Sequence, residues 1–310
     1  MTPTSTVDLR TRVGPTELPT PVMTASGTAG HGGELARYVP LDSLGALVVK
    51  SLSIMAWAGN PGPRVIELPG GMMNSVGLQG PGVAGWIADE LPALKASGAR
   101  IVASIWGRTI EEYRQAAEAL VDVQDDLTAV EINVSCPNLE DRRKMFAHSC
   151  DGTTGVIRAT AALEIPRWAK LSPNVADIAE IAGAAGDTGA SAVTLTNTLL
   201  GLVLDPLSGR PVLGGGGGGV SGPAIRPVAL RAVFDVAAAH PDLPIIGVGG
   251  IANAEDAVQY LRAGASAVQV GTATFADPRA TARVTNDLAT WCKRAGVARV
   301  AELVGSAHER

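Results

Sequence analysis

The sequence is short of cysteine, and this shortage excludes the metal sites that cysteine pairs build. Its three cysteines are Cys136, Cys150 and Cys292, and none of them has the CxxC or CxxxC spacing of a zinc site or a self-contained iron–sulfur cluster. We therefore expect no metal in this chain. Any iron–sulfur cluster that it works with must be carried by another chain.

Basic residues are also too few for a nucleic-acid-binding surface. The 25 Lys and Arg residues are outnumbered by 30 Asp and Glu, which gives a net charge of −5. Neutralising nucleic-acid phosphates requires clustered Lys and Arg. The run Arg142-Arg143-Lys144 is the one local basic cluster, and such a run is typical of a solvated loop. We expect no nucleic-acid partner.

No long apolar run opens the chain. Residues 1–14 are polar and rich in threonine, so we expect neither a signal peptide nor a membrane anchor, and a cytoplasmic location. Apolar residues make up 46% of the chain and charged residues 18%, which is enough for a substantial core. We expect one soluble domain over residues 1–310, a size that single barrels of strands and helices commonly reach.

What the sequence does contain is a regular alternation of apolar runs with amphipathic segments. The predicted strands cover residues 21–26, 46–51, 100–105, 129–135, 167–171, 192–196, 244–249 and 267–271. Segments of helical period lie at residues 111–123, 175–185, 225–239, 254–263 and 278–295. Eight strand–helix units predict an α/β fold, a (β/α)8 TIM barrel. The alternative, an open doubly wound sheet, would normally have a GxGxxG fingerprint after its first strand, and the sequence has none there.

Three segments stand outside this repeat. Residues 7–12 and 17–22 predict an amino-terminal β-hairpin that plugs the bottom of the barrel. Residues 54–85 and 199–222 are long connections, and we expect them at the active-site face of the barrel. The second connection contains six consecutive glycines, Gly214 to Gly219. This run is a mobile lid, a place where backbone closely approaches a ligand, or a tolerated linker.

One thiol lies between two amides at the end of the fourth predicted strand. The hexapeptide Asn133-Val134-Ser135-Cys136-Pro137-Asn138 directly follows the apolar run at residues 129–132. A strand buried on both faces should continue in Val, Ile and Leu, so polar residues at its carboxyl end indicate a site. A cysteine can act as a base near neutral pH where a cation or hydrogen bonds favour its thiolate.

The seventh and eighth strands end in the glycine-marked segments 247–251 and 270–273. Backbone N–H groups at the start of a helix bind phosphate, and glycine allows close approach, so this pair of loops predicts a phosphorylated ligand. The loops do not separate FMN from a sugar phosphate. Lys50 and Lys170 end two other strands, and they form ion pairs at the barrel rim or stabilise the negative charge of a reduced flavin.

Nine segments, in order along the chain, resemble those of the class 1 dihydroorotate dehydrogenases. They are residues 21–28 (PVMTASGT), 45–51 (GALVVKS), 74–78 (NSVGL), 131–138 (EINVSCPN), 170–175 (KLSPNV), 196–198 (TNT), 221–230 (SGPAIRPVAL), 247–251 and 270–274. The chain is most similar to the class 1B catalytic subunit. Class 2 members use serine as base and carry a membrane-associating amino-terminal extension, whereas this chain has Cys136.

The resemblance implies FMN-dependent oxidation of dihydroorotate to orotate in pyrimidine biosynthesis. Cys136 would be the base that takes the C5 proton, flavin N5 would take the C6 hydride, and Lys50 would assist catalysis. The implied substrate contacts are Lys50, Asn74, Val76, Gly77, Leu78, Asn133, Asn138, Asn197 and Thr198. The implied FMN contacts are Ala25, Ser26, Gly27, Lys50, Ser51, Ser104, Asn133, Lys170, Thr196, Ser221, Gly222, Gly249, Gly250, Gly271 and Thr272.

The resemblance also implies partners, and this sequence differs from the family pattern at several positions on the substrate side. The implied partners are a separate electron-transfer subunit with FAD and an iron–sulfur cluster, and further copies of this chain. The departures are the charged loop 139–150, Gly80 in place of the second asparagine of an NxxGLxN pattern, and the six glycines. The alternatives are therefore a flavin oxidoreductase acting on another dihydropyrimidine or cyclic amide, and a catalytically silent flavin-binding protein.

Overall fold

The computed structural model describes residues 7–136 and 145–308, which form fourteen short strands and nine α-helices. The strands are β1 (Thr11–Val13), β2 (Thr16–Leu18), β3 (Val22–Thr24), β4 (Leu47–Val48), β5 (Val65–Leu68), β6 (Gly71–Asn74), β7 (Ile101–Ile105), β8 (Ala129–Asn133), β9 (Arg167–Lys170), β10 (Ala192–Leu195), β11 (Leu199–Gly201), β12 (Gly218–Ser221), β13 (Ile245–Val248) and β14 (Ala267–Val270). The helices are α1 (Gly82–Asp89), α2 (Leu91–Ala96), α3 (Ile110–Glu118), α4 (Cys150–Ala159), α5 (Ile178–Asp187), α6 (Arg226–Ala239), α7 (Ala254–Arg262), α8 (Ala273–Ala276) and α9 (Ala280–Ala295).

Eight parallel strands form the barrel in the order β3-β14-β13-β10-β9-β8-β7-β4. The two end strands also meet, because Gly45 N donates to Val22 O at 2.9 Å and Thr24 N donates to Ala46 O at 3.2 Å. All eight predicted strands are present, and the predicted (β/α)8 barrel is confirmed. The carboxyl ends of its strands therefore lie on one face, where such barrels carry their sites.

The amino-terminal hairpin β1–β2 fills the bottom of the barrel. Val13 and Leu18 are fully buried, and they pack in one apolar cluster with Met23, Trp168 and Ile246 of the barrel strands. Because side chains alternate along a strand, strand residues such as Val130, Ile132 and Val193 face outward, in the larger apolar cluster that includes the helices. The predicted hairpin plug is confirmed.

Side-chain caps fix where several helices begin. Asn253 caps α7, because its side chain accepts a hydrogen bond from Asp256 N at 2.8 Å. Asp177 caps α5, which begins at Ile178 instead of residue 175, because the capping residue itself must be extended. No helix in the described part of the chain is long and apolar enough to cross a membrane.

The two long connections are not merely loops. Their strands pair in an antiparallel sheet of order β11-β12-β6-β5, with β5 and β6 from the first connection and β11 and β12 from the second. Both connections were predicted at the active-site face, and their sheet lies there. Strand β12 is Gly-Gly-Val-Ser, so it has no alternating apolar pattern from which a strand could be predicted.

The six glycines fit this sheet through close backbone packing. A Cβ atom on Gly218 would lie 2.5 Å from the backbone oxygen of Asn74, and one on Gly219 would overlap the side chain of Thr198. A Cβ on Gly214 would overlap the backbone oxygen of Pro61. Glycine is required here by contacts within the protein, so the linker interpretation of the run is wrong.

Candidate active site

A cavity of about 310 Å³ lies between the carboxyl ends of the barrel strands and the four-stranded sheet. Most of the predicted site residues line it, although they come from separate strands and loops. They are Ala25, Ser26, Gly27, Lys50, Ser51, Asn74, Val76, Gly77, Leu78, Asn133, Lys170, Thr196, Asn197, Thr198, Ser221, Gly222, Gly249, Gly250, Gly271 and Thr272. All the predicted substrate and FMN contacts except Ser104 and Asn138 therefore share one cavity.

Seven further residues line the cavity without having been predicted. They are Thr28, Val65, Met72, Ser135, Ile225, Val248 and Phe275. Four of them, Thr28, Ser135, Ile225 and Val248, lie inside segments that carried the resemblance, so these four could have been predicted from it. Val65 and Met72 reach the cavity only through the four-stranded sheet, which the sequence did not reveal.

Hydroxyl and amide groups form a connected row along the cavity floor. Ser26 Oγ lies 3.1 Å from Ser51 Oγ, and Asn133 Nδ2 donates to Ser51 Oγ at 3.4 Å. Asn197 Nδ2 donates to Asn133 Oδ1 at 3.3 Å. Ser104 is fully buried behind this row, 2.8 Å from Ser51 Oγ, and does not line the cavity. Its predicted contact with FMN would have to pass through Ser51.

Lys50 brings a positive charge to the cavity. Burial is the main cause that lowers the pKa of Lys50 below its ordinary value, and the nearby Arg64 guanidinium acts in the same direction. An anionic group bound beside Lys50 would relieve both effects, because an opposite charge favours the ammonium form. This environment suits a carboxylate ligand.

Lys170 lies in a buried polar network at the bottom of the cavity. Its Nζ donates to Glu131 Oε1 at 3.4 Å and to Gln269 Oε1 at 3.2 Å. Gln269 Nε2 donates to Glu131 Oε2 at 2.7 Å, which closes a triangle of three side chains. Glu131 and Gln269 are fully buried, and Lys170 is 5% exposed. The network holds the ammonium group where a ligand on the cavity floor would meet it.

The thiol of Cys136 faces the core instead of the cavity. It is buried and donates to the backbone oxygen of Asn133 at 3.4 Å, which also accepts from the Tyr113 hydroxyl at 2.6 Å. The Tyr113 ring packs edge-on against Phe146, whose backbone N–H donates to Cys136 O at 3.3 Å. Burial raises the pKa of Cys136 to about 12, against the opposite influence of Tyr113. In this position the thiol is protonated at neutral pH.

Residues 137–144 lie outside the described residues. They include Asn138, a predicted substrate contact, and the first half of the charged loop 139–150 that departs from the resemblance. The described residues nearest to this segment, Cys136 and Met145, flank it on either side.

The predicted substrate loop contains two left-handed residues in succession. Gly77 has φ of 74° and Leu78 has φ of 58°, a conformation that is uncommon for a residue with a Cβ atom. Asn74, at the start of this loop, donates from Nδ2 to Gly219 O of the neighbouring strand at 3.4 Å. The surrounding sheet therefore fixes the loop in a shape that places Gly77 and Leu78 on the cavity wall.

The predicted phosphate loops also line the cavity. Gly249 and Gly250 both have positive φ, at 133° and 70°, which brings their backbone to the cavity surface. Thr272 Oγ1 donates to Ser221 Oγ at 2.8 Å and links the eighth strand end to the end of β12. A Cβ atom on Gly250 would lie 2.8 Å from Gly222 O, so the loop after β13 depends on glycine.

Comparison of the sequence with known proteins shows the family to which the chain belongs. The sequence profile described as dihydroorotate dehydrogenase matches residues 8–291. The chain belongs to the dihydroorotate dehydrogenase family. It is 44% identical over 300 residues to the catalytic subunit of dihydroorotate dehydrogenase B (NAD(+)) from Geotalea uraniireducens, covering 96% of this chain and 98% of that protein. The subunits of the same name from Pelobacter propionicus and Geobacter sulfurreducens are 44% and 42% identical, over 301 and 300 residues, with 96% of this chain and 98% of each relative covered.

Membership of the dihydroorotate dehydrogenase family agrees with the resemblance drawn from the nine segments, including its closeness to class 1B. The matched region spans the barrel from the hairpin to helix α9. The family similarity therefore covers every strand that contributes to the cavity.

Proposed function

We propose that this protein oxidises dihydroorotate to orotate, with FMN as its bound cofactor. The observation that carries the proposal is the meeting of two lysines, three asparagines and two glycine-rich strand ends in one cavity of a family member. The identity of 44% to subunits named for this activity, over nearly the full length, supports it.

The residues of the cavity fit FMN. Thr196 Oγ1 and Ser135 Oγ are buried at the cavity and have no hydrogen-bond partner among the described residues, so a bound polar ligand would satisfy them. Gly249 and Gly250 present backbone to a phosphate, and Lys170 offers a positive charge to the ring. When bound, FMN supplies the acceptor for the hydride that leaves the substrate.

Asparagine side chains suit the pyrimidine ring of the substrate. A dihydropyrimidine presents carbonyl and N–H groups on adjacent atoms, and each amide can donate and accept at once. Asn74, Asn133 and Asn197 line the cavity, and Lys50 offers an ammonium group to the substrate carboxylate. Asn138 belongs to the same proposal by resemblance.

Cys136 is proposed as the base that removes the C5 proton. In its buried position the thiol is a poor base, because burial raises its pKa to about 12 and its S–H donates to Asn133 O. We infer that the backbone at Cys136 turns when substrate binds and brings Sγ into the cavity. The thiol then loses the burial that raised its pKa and approaches the charge of the cavity lysines.

A partner subunit that carries FAD and an iron–sulfur cluster is proposed as the route to NAD(+). The relatives are named as catalytic subunits of an NAD(+) enzyme, which supports a division of labour between chains. If so, the isolated chain loaded with FMN and given dihydroorotate does not reduce NAD(+). NAD(+) reduction by this chain alone would contradict the proposal. The homo-oligomer and the cytoplasmic location stay predictions.

Substrate identity is tested by the reduction of bound flavin under anaerobic conditions. Dihydroorotate should bleach the flavin rapidly, whereas dihydrouracil, which lacks the carboxylate, should bleach it slowly because Lys50 has no anionic partner. Equal rates would favour a reductase of another dihydropyrimidine. Bound flavin that neither compound reduces would favour a silent flavin-binding protein.

A further inference from the structure

Glu131 and Gln269 lie at positions where the interior of a barrel normally carries apolar residues. Alternation shows that both point inward: Glu131 is two residues after Ala129 of the interior cluster, and Gln269 is two residues after Ala267 of the same cluster. Both are fully buried, and neither lines the cavity. A buried carboxylate is costly unless it is paired and hydrogen-bonded, so this pair needs an explanation.

The partner of both side chains is Lys170. Glu131 carries the opposite charge, and its carboxylate accepts one hydrogen bond from Lys170 and one from Gln269. Gln269 accepts from the same ammonium group at 3.2 Å. The carboxylate of Glu131 therefore partly balances the charge of Lys170 at the cavity. Two acceptors on two strands fix the position of its ammonium group.

We propose that Glu131 and Gln269 are positioning residues that set the reduction potential of the bound flavin through Lys170. This inference rests on the proposed function, in which Lys170 meets the flavin ring. A reduced flavin carries negative charge near N1 and O2, which an ammonium group stabilises. The carboxylate of Glu131 weakens that stabilisation and holds the potential lower than Lys170 alone would give.

The variant Glu131→Gln removes the negative charge and keeps the shape of the side chain. It should raise the midpoint potential of the bound flavin, measured by equilibration against a reference dye. We expect at least a tenfold gain in preference for reduced over oxidised FMN, which is about 30 mV for a two-electron couple. The readout is an equilibrium potential and does not require turnover.

A charge-relocating double variant separates charge from packing. Glu131→Gln with Gln269→Glu moves the carboxylate to the other acceptor of Lys170, and the new amide can donate to it in place of the original Gln269 amide. The potential should return close to that of the unmodified protein. Glu131→Leu removes the charge and keeps Gln269 as an acceptor for Lys170, so it should raise the potential as Glu131→Gln does.

Glu17→Gln is the matched control, because Glu17 is a highly exposed carboxylate in the hairpin at the other end of the barrel. It should leave the potential unchanged. An unchanged potential in Glu131→Gln, or in Glu131→Leu if Glu131→Gln does not hold FMN, would overturn the inference. So would a double exchange that stays as high as Glu131→Gln. Unmodified protein that takes up no FMN would instead overturn the proposed function, and this inference with it.

Discussion

The buried position of Cys136 leads to a prediction about the pH dependence of flavin reduction. Burial raises its pKa from 9.0 to about 12, which is about 4 kcal/mol against the thiolate and about a thousandfold fewer thiolates at neutral pH. Because burial raises the pKa of Cys136, the buried arrangement keeps its full stability below pH 9. It loses stability relative to an exposed thiol as the pH rises toward 12. Rising pH should therefore favour the thiolate that faces the cavity.

The assay is single-turnover reduction of bound FMN by saturating dihydroorotate. If Cys136 turns into the cavity before it acts, the rate should rise about tenfold per pH unit at low pH and level off at or below pH 9. A rate that still rises beyond pH 10 would mean that the thiol reacts from its buried position. A rate independent of pH would remove the thiol from the rate-limiting step.

Two variants complete this experiment. Cys136→Ser should lower the rate at neutral pH by about 10²- to 10⁴-fold, the usual contribution of a positioned base, while FMN remains bound. Cys292→Ser replaces another buried cysteine, within helix α9, and should leave both the rate and its pH profile unchanged. An unchanged rate in Cys136→Ser would refute the assignment of the base.

Three further substitutions have definite outcomes. Lys50→Met should raise the KM for dihydroorotate about 10- to 150-fold, because it removes a charged hydrogen bond worth about 1.5–3 kcal/mol. The KM for dihydrouracil should not change, and an equal rise for both substrates would contradict the carboxylate contact. Tyr113→Phe removes the hydroxyl that donates to Asn133 O and should lower the free energy of unfolding in urea by about 1 kcal/mol; unchanged stability would show that the bond is not formed. Gly219→Ala should weaken orotate binding, followed by the flavin spectrum, because its methyl group displaces Thr198; unchanged affinity would show that Thr198 does not contact the ligand.

The barrel could be predicted because buried parallel strands have a recognisable sequence pattern. Each of the eight strands is an apolar run with polar or glycine residues at its carboxyl end, and the structure has strands at all eight places. The site followed from the same pattern, since parallel strands bring residues as distant as Lys50 and Asn197 to one face.

The remaining features depend on packing between distant segments. Strand β12 consists largely of glycine, so its pairing with β6 became visible only when the fold brought them together. The thiol of Cys136 is buried in the core beside Tyr113 and Phe146, and no local sequence pattern connects these two residues to it. Glu131 did leave a signal, a single charge inside an apolar strand, but its partner Gln269 lies 138 residues away.

The most direct test of the central claim is anaerobic mixing of the FMN-loaded protein with dihydroorotate. The account predicts that the visible absorbance of the flavin disappears in one rapid phase, that orotate forms in equal amount, and that Cys136→Ser slows this phase without releasing FMN. A preparation that takes up no FMN, or flavin that stays oxidised in the presence of dihydroorotate, would contradict it.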